Sequence, residues 1–189
     1  HAFENQEAQS ADEIISILPG NIINFSAFGF DNFNAVSKKL NRSKEGNNEN
    51  FWRNSSEKAQ YNLRNEFESN LKSFVGSYKN SLSNNAFTFC FVKDTGMAIS
   101  DLENMSDTVI RQKKFNIYRI SGENTQLFYP LFNTPTSYAC LINNLILFSS
   151  NRENIMNSWN EMNNKSTKAD ENFNSYCNEQ LSEKFNYIY

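Results

Sequence analysis

Carboxylates are the side chains of this sequence from which acid–base chemistry could be built. There are 21 acidic residues and a single histidine. Asp94 with Asp101, and Glu66 with Glu68, are pairs close in sequence, and two acids suffice for glycoside hydrolysis. Neither pair falls at an obvious strand end beside aromatic sugar platforms, so solvated surface charge is the simpler reading. Asp94-Thr95-Gly96 matches the D-T-G triplet of aspartic proteases, but that chemistry needs a second copy or a dimer. The residues after Gly96 look helical, so Asp94 reads as a strand terminator and helix cap. His1 is the sole histidine, which argues against Ser/His/Asp and Cys/His catalysis and against His-ligated metals. Cys90, Cys140 and Cys177 form no C-x-x-C, so a zinc knuckle or thioredoxin-type site is not expected. No Gly-rich phosphate loop is present. The expectation is therefore no catalytic residue, no metal ligand and no cofactor.

Binding and modification leave weaker marks. Phe51-Trp52 stands in a polar stretch, Asn41 to Ser56, read here as a loop. The pair is a candidate partner-binding anchor; the alternative is a clip of the loop onto its own domain. Trp159 reads as core. Asp107-Thr108-Val109 is similar to the short O-glycosylation signal of Bacteroidota envelope proteins, which makes Thr108 a candidate modification site. Asn41-Arg42-Ser43, Asn54-Ser55-Ser56, Asn104-Met105-Ser106 and Asn164-Lys165-Ser166 match N-x-[ST], as chance allows where Asn is about one residue in six.

Composition bounds what can position these groups. With 39% hydrophobic residues and 17 Phe among 189 residues, the chain can bury a sizeable core, so global disorder is not expected. A net charge of -3 with interspersed signs gives no basic stripe for nucleic acid. The apolar runs fall far short of the roughly 20 residues that span a bilayer. Cys90 and Cys140 lie in apolar runs, where a free Cys is a small core residue.

Periodicity supplies the elements. Ser10-Ala11-Asp12-Glu13 fits a capping box for a short helix that Pro19-Gly20 stops. Asn21 to Phe30 alternates as a strand, and Asp31 caps a helix with Phe33, Val36 and Leu40 on one face. From Glu57, apolar residues at Leu63, Phe67, Leu71, Phe74, Tyr78 and Leu82 predict one long amphipathic helix over about 57–82, with Gly76 inside it. Phe87 to Val92 is a strand apolar on both faces and hence central. A helix follows, from about Met97 to Val109. Lys114 to Ile120 and Thr125 to Phe132 read as strands, the second an edge because of Pro130. Tyr138 to Ile142 and Leu145 to Ser149 form a hairpin about Asn143-Asn144, a type I′ turn. Ser150 caps a helix carrying Ile155, Met156 and Trp159. The fold class is α+β: a mostly antiparallel sheet of about five to six strands covered by helices.

The order "ILPGNIINFSAFGF", "FTFCFVKD" and "YACLINNLILFSSNRENI" resembles the first repeat of an uncharacterised family of bacterial cell-envelope proteins, many from Bacteroidota, known only as a domain of unknown function. The resemblance implies an extracytoplasmic protein whose partners are other envelope proteins, with any lipid anchor lying in a segment outside this chain. It carries no catalytic residue. It implies a single α+β domain over residues 1–170, with 171–189 opening a following repeat or C-terminal extension. The expected role is a non-enzymatic scaffold or accessory subunit. The rivals are a ligand-binding module, with its pocket between the sheet and the long helix, and a carboxylate-only hydrolase.

Overall fold

The computed structural model describes residues 6, 14, 22–41, 48–80, 85–122, 125–163 and 187–188. In chain order the elements are β1 (Ile22–Gly29), α1 (Phe33–Asn41), α2 (Asn48–Ala59), α3 (Leu63–Asn70), β2 (Leu71–Asn80), β3 (Ala86–Val92), α4 (Thr95–Met105), β4 (Ser106–Arg111), β5 (Asn116–Ile120), β6 (Tyr138–Ile142), β7 (Leu145–Ser149), α5 (Arg152–Asn163) and β8 (Tyr187–Ile188). The strands form one eight-stranded sheet in the order β4-β5-β6-β7-β3-β2-β1-β8. Every neighbouring pair is antiparallel. The fold is α+β, with more strands than the sequence pattern counted.

The sheet is two meanders joined side by side. β1-β2-β3 is the first. α4 then carries the chain from the central β3 to the far edge, and β4-β5-β6-β7 returns until β7 pairs with β3. That junction runs from Phe87 opposite Ser149 to Phe91 opposite Leu145. Both strands are apolar on both faces, as central strands must be.

Alternation sends the side chains into two cores. Val75, Cys90, Tyr118, Ala139, Ile146 and Phe148 pack beneath α1 to α4, against Val36, Trp52, Phe67 and Leu102. Phe74, Tyr78, Phe89, Cys140 and Leu147 line the opposite face with Ile155 of α5 and with Ile14. Cys90 and Cys140 are buried free thiols, one in each core, as small core residues should be.

The predicted long helix over 57–82 is three elements. α2 ends at Ala59, Gln60 takes φ 64°, and Asn62 caps α3 by accepting from Asn65 N–H. Leu71 is extended at ψ 144°, and β2 begins there. The error has a physical source: Phe74 and Tyr78 are four apart, a spacing that one helical face and one strand face both satisfy. A bulge in β2, with Ser73 at φ 59°, shifts the face between Leu71 and Phe74 and completes the mimicry.

Gly76 therefore lies in a central strand, between Ala27 and Phe89. A Cβ there would come within 2.5 Å of Phe89 Cε1 and 2.9 Å of Ser26 O. The glycine lets the Phe89 ring lie flat on the backbone, where it stacks on Phe25 with centroids 6.1 Å apart.

Other boundaries move by a few residues. α4 stops at Met105 and Ser106–Arg111 is β4, a strand where the pattern predicted more helix. The segment 125–132 is a run of turns, not a strand. Leu127, Phe128 and Phe132 anchor it in the first core. Thr136 closes it by donating from its hydroxyl to Thr125 O at 2.8 Å. The stretch read as a loop, Asn41 to Ser56, holds most of α2. The Asn143-Asn144 turn is present, but only Asn143 has positive φ, at 54°, which fits type II′ rather than I′. The cap of α5 is Asn151, whose Oδ1 accepts from Glu153 N–H at 2.7 Å, rather than Ser150. The cap of α1 is Asn32, accepting from Ala35 N–H at 3.1 Å, rather than Asp31. Within the segment 171–189, expected to open a following repeat or C-terminal extension, Tyr187–Ile188 pairs with β1 in this sheet. The helix predicted after Ser10 and Cys177 lie outside the described residues, apart from a helical, buried Ile14.

Candidate functional site

Phe51 and Trp52 are not a water-facing anchor. They are 9% and 7% exposed, on the inner face of α2 with Ser55. The Trp52 ring lies 5.1 Å from Phe51 and 6.0 Å from Phe67, centroid to centroid, and the Arg64 guanidinium sits 5.9 Å over it. The pair is a clip into the domain's own core, the alternative the sequence left open. Thr108 is exposed on β4, the edge of the sheet, where its hydroxyl is open to modification.

The carboxylates part company. Asp94 caps α4 by accepting from Met97 N–H at 2.9 Å. Glu68 is buried in a polar knot: Arg64 donates to it at 2.8 Å and Ser37 at 2.7 Å. Asp101 and Glu66, which sequence proximity did not pair, come to one pocket.

That pocket is built on α4. Met97, Ser100, Asp101 and Asn104 follow at i, i+3, i+4 and i+7, so they share a face. Opposite stands Tyr61, held in the bend between two helices. Gln60 turns the chain at its φ of 64°, and Ser56 Oγ accepts from Leu63 N–H at 3.1 Å to fasten the next helix. The Tyr61 hydroxyl donates to Asp101 Oδ1 at 3.0 Å and accepts from Asn104 Nδ2 at 3.4 Å. A cavity of about 250 Å³ lies there, lined by Tyr61, Glu66, Met97, Ser100 and Asp101.

Asp101 is 2% exposed, and its Oδ2 is buried without a hydrogen-bond partner among the described residues. Burial raises its carboxyl from 3.8 to about 6; the Tyr61 hydrogen bond pulls the other way and the Glu66 charge adds to the rise. Tyr61 is raised in turn, first by its own burial and then by the hydrogen bond to Asp101. A carboxyl so placed changes charge near neutrality and keeps one acceptor in reserve.

A larger cleft of about 500 Å³ opens on the other side of Asn104, between α2 and the start of β4. Asn54, Lys58, Asp107 and Ser121 line it, but much of this polarity is already engaged. Lys58 Nζ donates to Glu103 O and Ser106 O at 2.8 Å each, closing the end of α4. Ser121 donates to Asp107 at 2.6 Å. Among the described residues, no three His, Cys, Asp or Glu side chains gather as a metal site, and no helix is long and apolar enough to cross a membrane.

Sequence reasoning missed Tyr61 because it was assigned to the interior of one long helix. Asp101 did leave a signal. It falls among Ala98, Leu102 and Met105, the buried stripe of α4, and an acid in an apolar stripe is a buried acid. Compared with known proteins, the chain matches no family model, no curated protein and no solved structure.

Proposed function

We propose that this domain is non-enzymatic and works by protein–protein contact, as a scaffold or accessory subunit of the cell envelope, with the outer face of α4 as its contact surface. One observation carries the reading. Large apolar side chains of α4 and its neighbour stand in water: Tyr61 is 38% exposed, and Met97 and Ile99 are 40% exposed each; Tyr61 and Met97 flank a buried, incompletely bonded acid, Asp101. α4 is a crossover helix that packs on the sheet and against α2 and α3, and Met97 and Ile99 are the apolar side chains it leaves facing water. Apolar area there returns about 25 cal/mol per Å² when a partner covers it. The extracytoplasmic setting rests on the family resemblance alone.

The test is affinity purification of the native protein beside a Met97→Glu/Ile99→Glu variant. Both positions are exposed, so the variant should melt within about 1 °C of the parent, as surface changes do. The parent should retain a stoichiometric partner that the variant loses. Recovery of the parent alone, or equal recovery by both, counts against the reading.

A second reading, a module for a polar small ligand, is supported by the amide-rich walls of the larger cleft. It predicts that Asn54→Leu abolishes ligand binding while partner recovery stays intact.

A further inference from the structure

We propose that the pocket between Tyr61 and α4 receives the side chain of a lysine from the partner protein. The inference deepens the contact-surface reading and rests on it.

The pocket is short of a cation. Two of its five lining residues are acids, Asp101 and Glu66, and none is basic. Nearby cations are committed elsewhere. Lys58 is tied to the end of α4, Arg64 to Glu68 and Ser37, and Lys93 donates to Ser69 O at 2.6 Å. The buried Asp101 Oδ2 has no partner among the described residues, and buried polar atoms of native proteins are as a rule satisfied. An incoming donor supplies what is missing as the half-exposed Tyr61 and Met97 side chains give way over it.

Hydrogen-bond chemistry narrows the donor. The Tyr61 hydroxyl proton is already given to Asp101 Oδ1, so Tyr61 has none to offer an incoming acceptor. The two carboxylates can only accept when ionised. The pocket thus selects a donor-rich, positively charged group over an anion or a carbonyl. Lysine fits better than arginine. A guanidinium prefers a carboxylate with both oxygens free for a bidentate grip, and here Tyr61 occupies one of them. An ammonium is a point charge with three rotatable donors, which can divide among Asp101 Oδ2, Glu66 and Ser100.

Size and walls agree. The cavity of about 250 Å³ lies below the range of drug-sized sites and suits one side chain. The Met97 thioether and the Tyr61 ring offer apolar walls for a four-carbon stem. The ring face also attracts a cation within about 6 Å.

The experiment titrates the folded protein with Ac-Gly-Lys-Gly-NH2, with the norleucine tripeptide, and with n-butylammonium chloride, following backbone amides by NMR. The lysine tripeptide should give saturable shifts at Tyr61, Glu66, Met97, Ser100 and Asp101, at least tenfold tighter than norleucine. Asp101→Asn keeps an acceptor for Tyr61 but removes the charge, and should weaken lysine binding at least tenfold. Should that variant not fold, Glu66→Gln at a half-buried position should weaken it at least threefold. Equal affinity for lysine and norleucine, or no effect of either substitution, overturns the proposal. So does binding of n-butylammonium without the tripeptide, which would make the occupant a free amine. Partner recovery separates the two levels. If Asp101→Asn retains the partner as well as the parent does, the lysine proposal fails and the contact reading stands. If the parent retains no partner, the contact reading fails and the lysine-from-a-partner proposal falls with it.

Discussion

At Asp101 a single carboxyl couples the fold to pH. Its acidity is shifted from 3.8 to about 6, so the folded state holds a proton that the unfolded chain releases near pH 4. Between about pH 4 and 6 the unfolded state binds fewer protons, and stability must fall as pH rises. Below that window both states are protonated, and above it both are ionised, so the curve flattens at either end. The full shift would be worth about 3 kcal/mol at about 1.4 kcal/mol per unit. Because the pocket opens to water, about 1–2 kcal/mol is the better expectation. Asp101→Asn should therefore stabilise the protein by that amount at pH 7.5 and have little effect at pH 4. Urea melts of both proteins across this range check it, and parallel stability profiles would refute it. Trp52 is the opposite kind of residue, all packing and no charge. Trp52→Ala removes the ring between Phe51 and Phe67 and should cost about 3–5 kcal/mol, visible as a clear fall in melting temperature. A silent substitution would return Trp52 to the surface where the sequence first placed it.

Among the elements, the hairpin and the helix that follows it separate what pattern reading sees from what it misses. Alternation placed β6, β7 and the two-residue turn correctly, because two apolar runs about a pair of turn residues leave few options. The turn type was not legible, since both asparagines tolerate positive φ and only one adopts it. Asn143→Gly should be neutral or stabilising by up to about 1 kcal/mol, while Asn144→Gly should cost about 0.5–1 kcal/mol through chain entropy alone. The cap behaves likewise. Ser150 and Asn151 are both good caps, and only the structure shows that Asn151 Oδ1 takes the bond. Asn151→Ala should cost about 1 kcal/mol and Ser150→Ala close to nothing; reversed magnitudes in denaturant melts would put the cap back at Ser150. β2 was missed for a deeper reason. Its apolar residues at spacings of three and four carry a helical signature, and a tertiary feature, the bulge at Ser73, makes them a strand. The candidate site shared that fate. Asp101 was readable as an acid in an apolar stripe, but its partner Tyr61 lay inside the misread helix, so the pair could not be seen together.

On the scale of the whole molecule, stability hangs on how the two meanders are joined. Each pairs strands that follow one another in the chain, β1 with β2 across the three helices α1 to α3, and each alone would present an open edge of unpaired backbone groups, β3 in one and β7 in the other. Pairing β3 with β7 removes both edges and makes each two-faced core continuous: Cys90 meets Ile146 beneath the helices, and Phe89 meets Leu147 on the α5 side. α4 reinforces the join, since it leaves β3 and packs against β4, β5 and β6. Closing a sheet between segments so far apart in sequence costs chain entropy that only the completed core repays. The meanders should accordingly unfold together. Ile146→Ala, at a wholly buried position of β7, should cost about 2–5 kcal/mol. It should lower hydrogen-exchange protection in β2 as much as in β6, though β2 is not its neighbour. Protection lost in β5 to β7 alone, with β1 to β3 unchanged, would mean that the first meander stands by itself and that the β3–β7 seam is a contact between two folding units.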